Sequence, residues 1–390
     1  MITQTWAMVV DAYRELCASK LFWLTMVLSA LVVGIFGMMG LNDRGITVFV
    51  WTIPVDMFNT GIMTKETFYK ILFQSLGISI WLTWIAAILA LITTAGFFPN
   101  LIAQGAIETK LSKPISRPRL FLTRYFTGLL FVALQVGVFT VASFFVLGLR
   151  ASFWEPRVLL AIPIVIVFFS YLYCVSVLIG VMTRSAIAAI LITIIFWFIV
   201  YLMNTTDTVI VGFREDRASM VQAREARIER LVRNARKSLI EQKIAEVGPE
   251  AAELYEPTEE EIDATLMLIP REKKAQADDK ETLKSLVYWS DIIFKVKTVL
   301  PKTAETTALL ERWLIKFDEL HALRDQQSAQ QNARRGGQNE NDPIRSSGPD
   351  STAIELAIRE RPVWWIVGTS LIFEGVIVLW AMVIFVRRDY

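Results

Sequence analysis

The most conspicuous chemical group inside an apolar stretch of this sequence is a lone carboxylate, Glu374, in the run TSLIFEGVIVLW. A carboxylate is costly within a membrane, and such groups normally face a bundle interior or a water-filled cavity. Two interpretations stay open: a substrate-pathway or proton-linked group, or a protonated or hydrogen-bonded residue that fixes helix packing. Gln135, in another apolar run, is expected to hydrogen-bond between helices.

The sequence lacks the common short motifs of nucleotide-binding, catalytic and metal-binding sites. It contains no GxxxxGK[ST] phosphate loop and no GxSxG, HExxH or CxxC. A zinc site of several histidines is excluded because His321 is the only histidine, and Cys17 and Cys174 support neither a disulfide framework nor a metal site. We therefore expect a chain that is not an enzyme and binds no cofactor or metal directly. Its net charge of +2 does not suggest nucleic acid as a partner.

The elements that must position these groups are long apolar runs. Hydrophobic residues make up 54% of the chain and form long runs in 1–203 and 363–386, whereas 204–362 is rich in Glu, Lys, Arg, Gln and Ala. A helix needs about 20 apolar residues to cross the hydrocarbon core of a bilayer. The sequence predicts an all-α polytopic membrane protein without a cleavable signal peptide. Six predicted transmembrane helices cover 21–40, 76–98, 125–149, 158–182, 185–203 and 363–386.

Lysine and arginine in the short loops predict the orientation of these helices. If the N-terminus is cytoplasmic, the cytoplasmic loops and ends hold about twice as many basic residues as the short outer loops. This bias favours both termini in the cytoplasm, and the membrane is expected to be the inner, or cytoplasmic, one. The long charged segment 204–362 is then extracytoplasmic.

This orientation divides the chain into four parts. They are a cytoplasmic interfacial helix in 1–20, helices 1–5 in 21–203 with a cytoplasmic loop at 99–124, a large helical insert in 204–362, and helix 6 with the C-terminus in 363–390. We also expect a short strand in the first outer loop, within 46–55, where β-branched and aromatic residues cluster.

The insert is predicted to be mainly helical, with a flexible segment at 331–351. The helices are expected at 214–247, 258–269, 280–298 and 303–330. The first is highly charged and carries a narrow apolar stripe: Ile228, Leu231, Val232, Ala235, Leu239, Ile244 and Val247. Such a helix is typical of a solvated face, but also of a docking surface or a self-associating coiled coil, because a stripe needs a surface to pack on. These interpretations stay open.

The loop at 99–124 carries the most specific pattern. Residues 97–128 read FFPNLIAQGAIETKLSKPISRPRLFLTRYFTG. This resembles the ABC-2 type permeases, the transmembrane subunits of one group of ABC transporters, whose loop is close to G-x-[IV]-E-x-x-[LY]-[ST]-[KRT]-P-[IV]-S-R followed by K/R-Y-x-G. The matching positions are Gly105, Ile107, Glu108, Leu111, Ser112, Lys113, Pro114, Ile115, Ser116 and Arg117, then Arg124, Tyr125 and Gly128. The resemblance covers 1–203 and 363–390, including the C-terminal FVRRDY.

The resemblance implies a permease subunit of an exporter that works with a separate ABC ATPase. ATP and Mg would then bind the ATPase, and residues 105–119 would form the lever that receives its motion. It also implies a homodimer or a pair with a related permease, with membrane lipid as the surroundings. The insert, which the simplest family members lack, could hold an extracytoplasmic partner. The alternatives are a membrane scaffold or sensor without transport, and a polytopic enzyme, which would need several polar residues at one depth.

Overall fold

The computed structural model of the chain describes residues 10, 14, 19–54, 60, 63–103, 116–248, 255–315 and 359–388. Most of the predicted 4–19 helix, residues 316–330 of the predicted 303–330 helix, and the segment 331–351 lie outside these described residues. The chain divides into two compact units. The described residues up to Asn204, from Lys297 to 315 and from Arg361 onward form the first unit, and those between Thr205 and Val296, with 359–360, belong to the second.

Helices dominate the described residues. The first apolar stretches form α1 (Lys20–Met38), α2 (Lys65–Leu72), a π-helix (Phe73–Ala86), α3 (Ala87–Ala95) and α4 (Phe97–Ala103). They are followed by α5 (Arg117–Ala151), a 3₁₀ turn (Pro156–Leu160) and α6 (Ala161–Thr183). The remaining helices are α7 (Ala186–Val247), α8 (Glu259–Thr265), α9 (Leu268–Val299), α10 (Thr303–Leu314), a π-helix (Trp364–Gly368) and α11 (Thr369–Arg387).

In the described part of the chain, six helical segments are long and apolar enough to cross a membrane. They are Lys20–Met38, Lys65–Ile102, Arg117–Ala151, Pro156–Thr183, Ala186–Glu246 and Trp364–Arg387. All six overlap the spans predicted from the sequence, so the prediction of six membrane-length helices is confirmed. Several segments are longer than predicted, because polar residues at their ends continue the helix.

A small antiparallel sheet follows α1. Its strands β1 (Met39–Asn42), β2 (Gly45–Val48) and β3 (Trp51–Pro54) pair in sequence order. The run predicted as one strand is a hairpin, because the chain reverses at Phe49, which has a positive φ of 58°. This meander is therefore the only β-sheet among the described residues, whose other regular elements are helices.

The structure corrects the helix boundaries predicted after the fifth span. We expected that span to end at 203 and a new helix to begin at 214, but α7 continues unbroken from Ala186 to Val247. No proline lies in 204–213, and polar residues alone do not stop a helix. The predicted helix at 280–298 is likewise the second half of α9, which starts at Leu268.

The helix α10 packs with the spans of the first unit. Its Leu309, Leu310 and Leu314 are buried in the same apolar core as side chains of α5 and α6. The sequence pattern assigns this helix to the 204–362 insert, as part of the helix expected at 303–330. Its apolar and small residues, TTALL, are those of a helix buried on most sides.

The second unit is built on an antiparallel pairing of α7 with α9. Part of the predicted stripe on α7 packs against α8 and α9, in a cluster of Leu231, Val232, Ala235, Leu239, Ile262 and Ile269. Arg217 is 3.0 Å from Asp279, and Arg224 is 2.8 Å from both Glu272 and Asp279. Moving seven residues forward on α7, from Arg217 to Arg224, corresponds to moving seven residues back on α9, from Asp279 to Glu272. These ion pairs therefore define the antiparallel register of the two helices.

A glycine on α5 allows close packing of α5 against α6. A Cβ at Gly128 would lie 2.5 Å from Cζ of Tyr173, whose side chain is fully buried. A Cβ at Gly137, two and a half turns further along the same helix, would meet nothing within 4 Å.

We therefore expect Gly128→Ala to destabilise the protein by roughly 1–3 kcal/mol, because overpacking forces α5 and α6 apart. Gly137→Ala is the matched control and should be neutral or slightly stabilising, since alanine favours helix. Thermal unfolding of the detergent-solubilised variants measures both. Equal melting temperatures for the two variants would contradict this account of the α5–α6 contact.

Candidate functional site

Glu374 lies on α11 and joins three helices. The Tyr125 hydroxyl of α5 donates to Oε1 of Glu374 at 2.7 Å, and the Ser170 hydroxyl of α6 donates to Oε2 at 2.6 Å. We call these three residues the Glu374 triad. Each carboxylate oxygen thus has a hydrogen-bond donor, which is what a carboxyl group in an apolar bundle requires. This geometry favours the packing interpretation of Glu374, and the pathway interpretation stays a hypothesis.

Aromatic rings hold the Glu374 triad in place. The ring of Tyr125 stacks on that of Tyr173 with centroids 5.2 Å apart, and Tyr173 stacks on Phe169 at 5.7 Å. Gly128, one turn after Tyr125, leaves the space that the Tyr173 ring occupies. The R-Y-x-G segment singled out in the sequence therefore supplies both the hydroxyl that bonds Glu374 and the gap for its supporting ring.

A second network, which we call the arginine clamp, joins the same three helices at one end. Nη1 of Arg117, at the start of α5, donates to the carbonyl oxygens of Val386 and Arg388, each at 3.0 Å. Nη1 of Arg388 in turn donates to the carbonyls of Val181 at 2.6 Å and Met182 at 3.0 Å, at the end of α6. Both arginines therefore cap helix C-termini, where carbonyl groups lack partners and cations are favoured.

The arginine clamp begins where the family-like motif ends. Ser116 is the N-cap residue of α5, and Arg117 is the first residue of that helix. The matched positions before Ser116 lie outside the described residues: Gly105, Ile107, Glu108, Leu111, Ser112, Lys113, Pro114 and Ile115. The structure consequently describes what the end of the motif is bonded to, through Arg117.

A third network, the Glu305 cluster, lies at the opposite end of α11 and consists of Lys297, Lys302, Glu305 and Arg361. The Glu305 carboxylate is ion-paired with Lys297 and lies 3.1 Å from Nη1 of Arg361. Lys297, Lys302 and Glu305 are all buried. Because removing one member of a buried charged group leaves the others uncompensated, this cluster depends strongly on Glu305.

Lys302 connects the Glu305 cluster to the last span. Its backbone N–H donates to the Ser370 hydroxyl at 3.0 Å, and its Nζ bonds the Thr369 hydroxyl and the Thr298 carbonyl. The ammonium also lies 4.8 Å from the centre of the Trp365 ring. The side chain is fully buried, and this desolvation lowers the pKa of Lys302 from its ordinary value to about 8.

The sequence interpretation missed the Glu305 cluster. Its members come from two separate stretches of chain, and Arg361 and Glu305 are 56 residues apart. A signal did exist: Lys302 and Glu305 stand in a segment of alanine, threonine and leucine, where charged residues are expected to be paired. The sequence does not indicate which residues pair with them.

Comparisons were made with family models, curated proteins and solved structures. None of the three finds a match to this chain. The family resemblance therefore depends on the motif residues quoted above.

Gln135 does not join helices in the way the sequence suggested. Neither atom of its amide has a hydrogen-bond partner, although the residue is buried. It lines an internal cavity of about 10 Å³ between α3, α5 and α6. A cavity of that size holds about one water molecule, which is the partner that such an amide needs.

The chemistry available in the described part of the chain is that of structural pairing. Among those residues no three histidine, cysteine, aspartate or glutamate side chains lie close enough to hold a metal ion. The Glu374 triad joins a carboxylate to two hydroxyls, while the arginine clamp and the Glu305 cluster pair cations with oxygens. All three networks include α11 or the residues that contact it, so they control the position of that helix.

Glu374→Leu is expected to destabilise the protein by about 1–3 kcal/mol, because it leaves the Tyr125 hydroxyl buried without its acceptor. Glu374→Gln keeps the shape and one acceptor, and should cost less. The neighbouring Gly375→Ala adds a methyl group where nothing lies within 4 Å and serves as the control. Thermal unfolding in detergent ranks the three, and a Leu variant as stable as the wild type would contradict a packing role.

The stability of the protein should also depend on the protonation of Lys302. Because its pKa is lower in the folded chain than in the unfolded chain, the unfolded chain binds more protons between pH 8 and about 10.5. Stability contributed by this residue therefore rises as the pH increases through that window. Unfolding measured from pH 7 to 10.5 tests this, with Lys302→Met as the variant expected to lose the rise. An identical pH profile in both proteins would show that Lys302 does not titrate on folding.

Proposed function

We propose that this chain is the transmembrane permease subunit of an ABC-2 type exporter, located in the inner membrane with both termini in the cytoplasm. It would work as a dimer, either with a second copy or with a related permease. A separate ABC ATPase would bind ATP and Mg and supply the motion. The chain would itself be non-catalytic.

The arginine clamp is the observation that carries this proposal. In such a subunit, the lever at 105–119 receives motion from the ATPase and must pass it to the spans. Arg117 of this lever bonds the last carbonyls of α11, while Arg388 bonds the last carbonyls of α6. A displacement of the loop would therefore act on three helices together rather than on α5 alone.

The Glu374 triad supports the same route at a second depth. Eight residues separate Arg117 from Tyr125 on α5, which is about 12 Å of helix. The triad joins α5, α6 and α11 again at that level. The arginine clamp and the Glu374 triad are thus two separate sets of hydrogen bonds between the same helices. They favour movement of these helices as one rigid body, which a rocking motion of a membrane bundle requires.

Co-purification tests the proposed partner. An ATPase with a phosphate loop is expected to co-purify with the solubilised wild-type chain and to be lost from Glu108→Ala/Lys113→Ala, which changes the proposed lever. A matched pair in the second unit, Lys274→Ala/Glu281→Ala, should retain the ATPase. Unfolding temperatures show that the variants are folded. If no ATPase is recovered even after crosslinking in membranes, the scaffold or sensor alternative replaces the exporter.

Transmission through the arginine clamp has its own test. Arg117→Gln should leave the ATPase bound but abolish any ATP-dependent change in maleimide labelling of a cysteine placed at Leu379, an exposed position on α11. Lys20→Gln removes one positive charge at the exposed start of α1, outside the lever, and should preserve the change. If Arg117→Gln behaves like Lys20→Gln, the clamp is not the route of coupling.

A further inference from the structure

The outward face of α9 changes from polar to apolar part-way along the helix. The helical period places two successive groups of residues on this face. The first group is polar and exposed: Lys274, Asp278, Glu281 and Ser285. The second is apolar: Tyr288, Trp289, Ile292 and Val296. The exposed fractions are 63% for Tyr288, 53% for Trp289 and 46% for Val296, so the other residues that the structure describes leave this part of the face uncovered.

The opposite face of α9 is the one that the second unit buries. It carries Glu272 and Asp279, which pair with arginines of α7, and the buried Ser290 and Ile293. The apolar group on the outward face (Tyr288, Trp289, Ile292 and Val296), which we call the α9 stripe, is therefore not needed for the packing of α9. An exposed stripe with two adjacent aromatic residues indicates contact with something outside the unit.

The neighbouring helix α7 also has an apolar part and a charged part, but along this chain direction the apolar part comes first. Val209 and Phe213 are exposed by 49% and 57%, and the charged part of the helix begins directly afterwards at Arg214. The ion pair of Arg217 with Asp279 places Phe213 opposite residue 283 of α9. The two changes, at Phe213 and Val287, thus fall within about one helical turn of each other.

We propose that the part of this helix pair formed by 205–213 and 287–296 lies in the headgroup layer of the lipid bilayer. A planar boundary between water and lipid crosses two antiparallel helices at a single level, which accounts for the matched changes. Tyrosine and tryptophan concentrate at such boundaries because their rings are apolar with one polar group. The charged remainder of the pair extends away from the bilayer into water.

The charges beside the stripe favour the headgroup layer over the hydrocarbon core. Asp291 and Lys295 are exposed on the flank of the stripe. A lysine can extend its ammonium to the phosphate groups while its methylenes contact apolar surface. An exposed aspartate is tolerated near the phosphates and would be costly at the bilayer centre. The lipid is therefore recognised as a surface and not as a single bound molecule.

Lipid quenching of a fluorophore tests this proposal. Acrylodan is attached to a cysteine at Trp289, or at Glu281 on the same face, in a chain with Cys17→Ser and Cys174→Ser. The full-length protein is placed in nanodiscs of phosphatidylcholine, with or without bromine atoms near the headgroup. We expect blue-shifted emission and quenching by the brominated lipid at 289, and neither effect at 281. A third label at Val296 should also be quenched.

Two results would overturn the proposal. Emission at 289 and 296 matching that at 281 would show that the stripe lies in water. Blue-shifted emission at 289 without quenching by brominated lipid would show that protein covers the stripe, as in a pairing of two copies. Because labelling replaces Trp289, the Val296 label in a chain that retains Trp289 guards against a loss of contact caused by the substitution itself.

Discussion

The structure of the first unit depends on the pairing of polar groups that its apolar core excludes from water. An unpaired buried hydroxyl costs about 1–3 kcal/mol, and an unpaired buried charge costs more. Along α11 this requirement is met three times: by Arg117 at the end of the helix, by Tyr125 and Ser170 in the middle, and by Lys302 at the start. The partners come from different helices, so each pair also fixes where α11 lies.

Three such contacts along one helix leave it little freedom. A slip of α11 by one residue would move it about 1.5 Å along its axis and turn it by about 100°, which breaks all three networks at once. Small displacements that preserve the contacts must then carry α5 and α6 along. Motion of α11 is therefore expected either as part of that group or as a switch between two bonded arrangements, because packed cores do not deform continuously.

The sequence predicted those features that local pattern determines. Six apolar runs gave the membrane-length helices, and the stripe of Leu231 and Ala235 gave the packed face of α7. Helix ends were less predictable, since Asn204 and Asp207 look like a loop yet lie buried in the middle of a continuous helix. The Glu305 cluster could not be predicted, because local helix and strand periodicity does not indicate which distant segments of the chain contact each other. Glu374 stood out as a site, but its partners did not.

Within the first unit, Glu305 joins groups that lie far apart along the chain. Lys297, the first residue of α9 that belongs to this unit, is paired with the Glu305 carboxylate. Arg361 pairs with the same carboxylate. Lys302, three positions before Glu305, bonds Ser370 and Thr369 of α11. Because unpaired buried charges are costly, a displacement of any one of these groups must be followed by the others, so the start of α11 is held by Glu305 through Lys302.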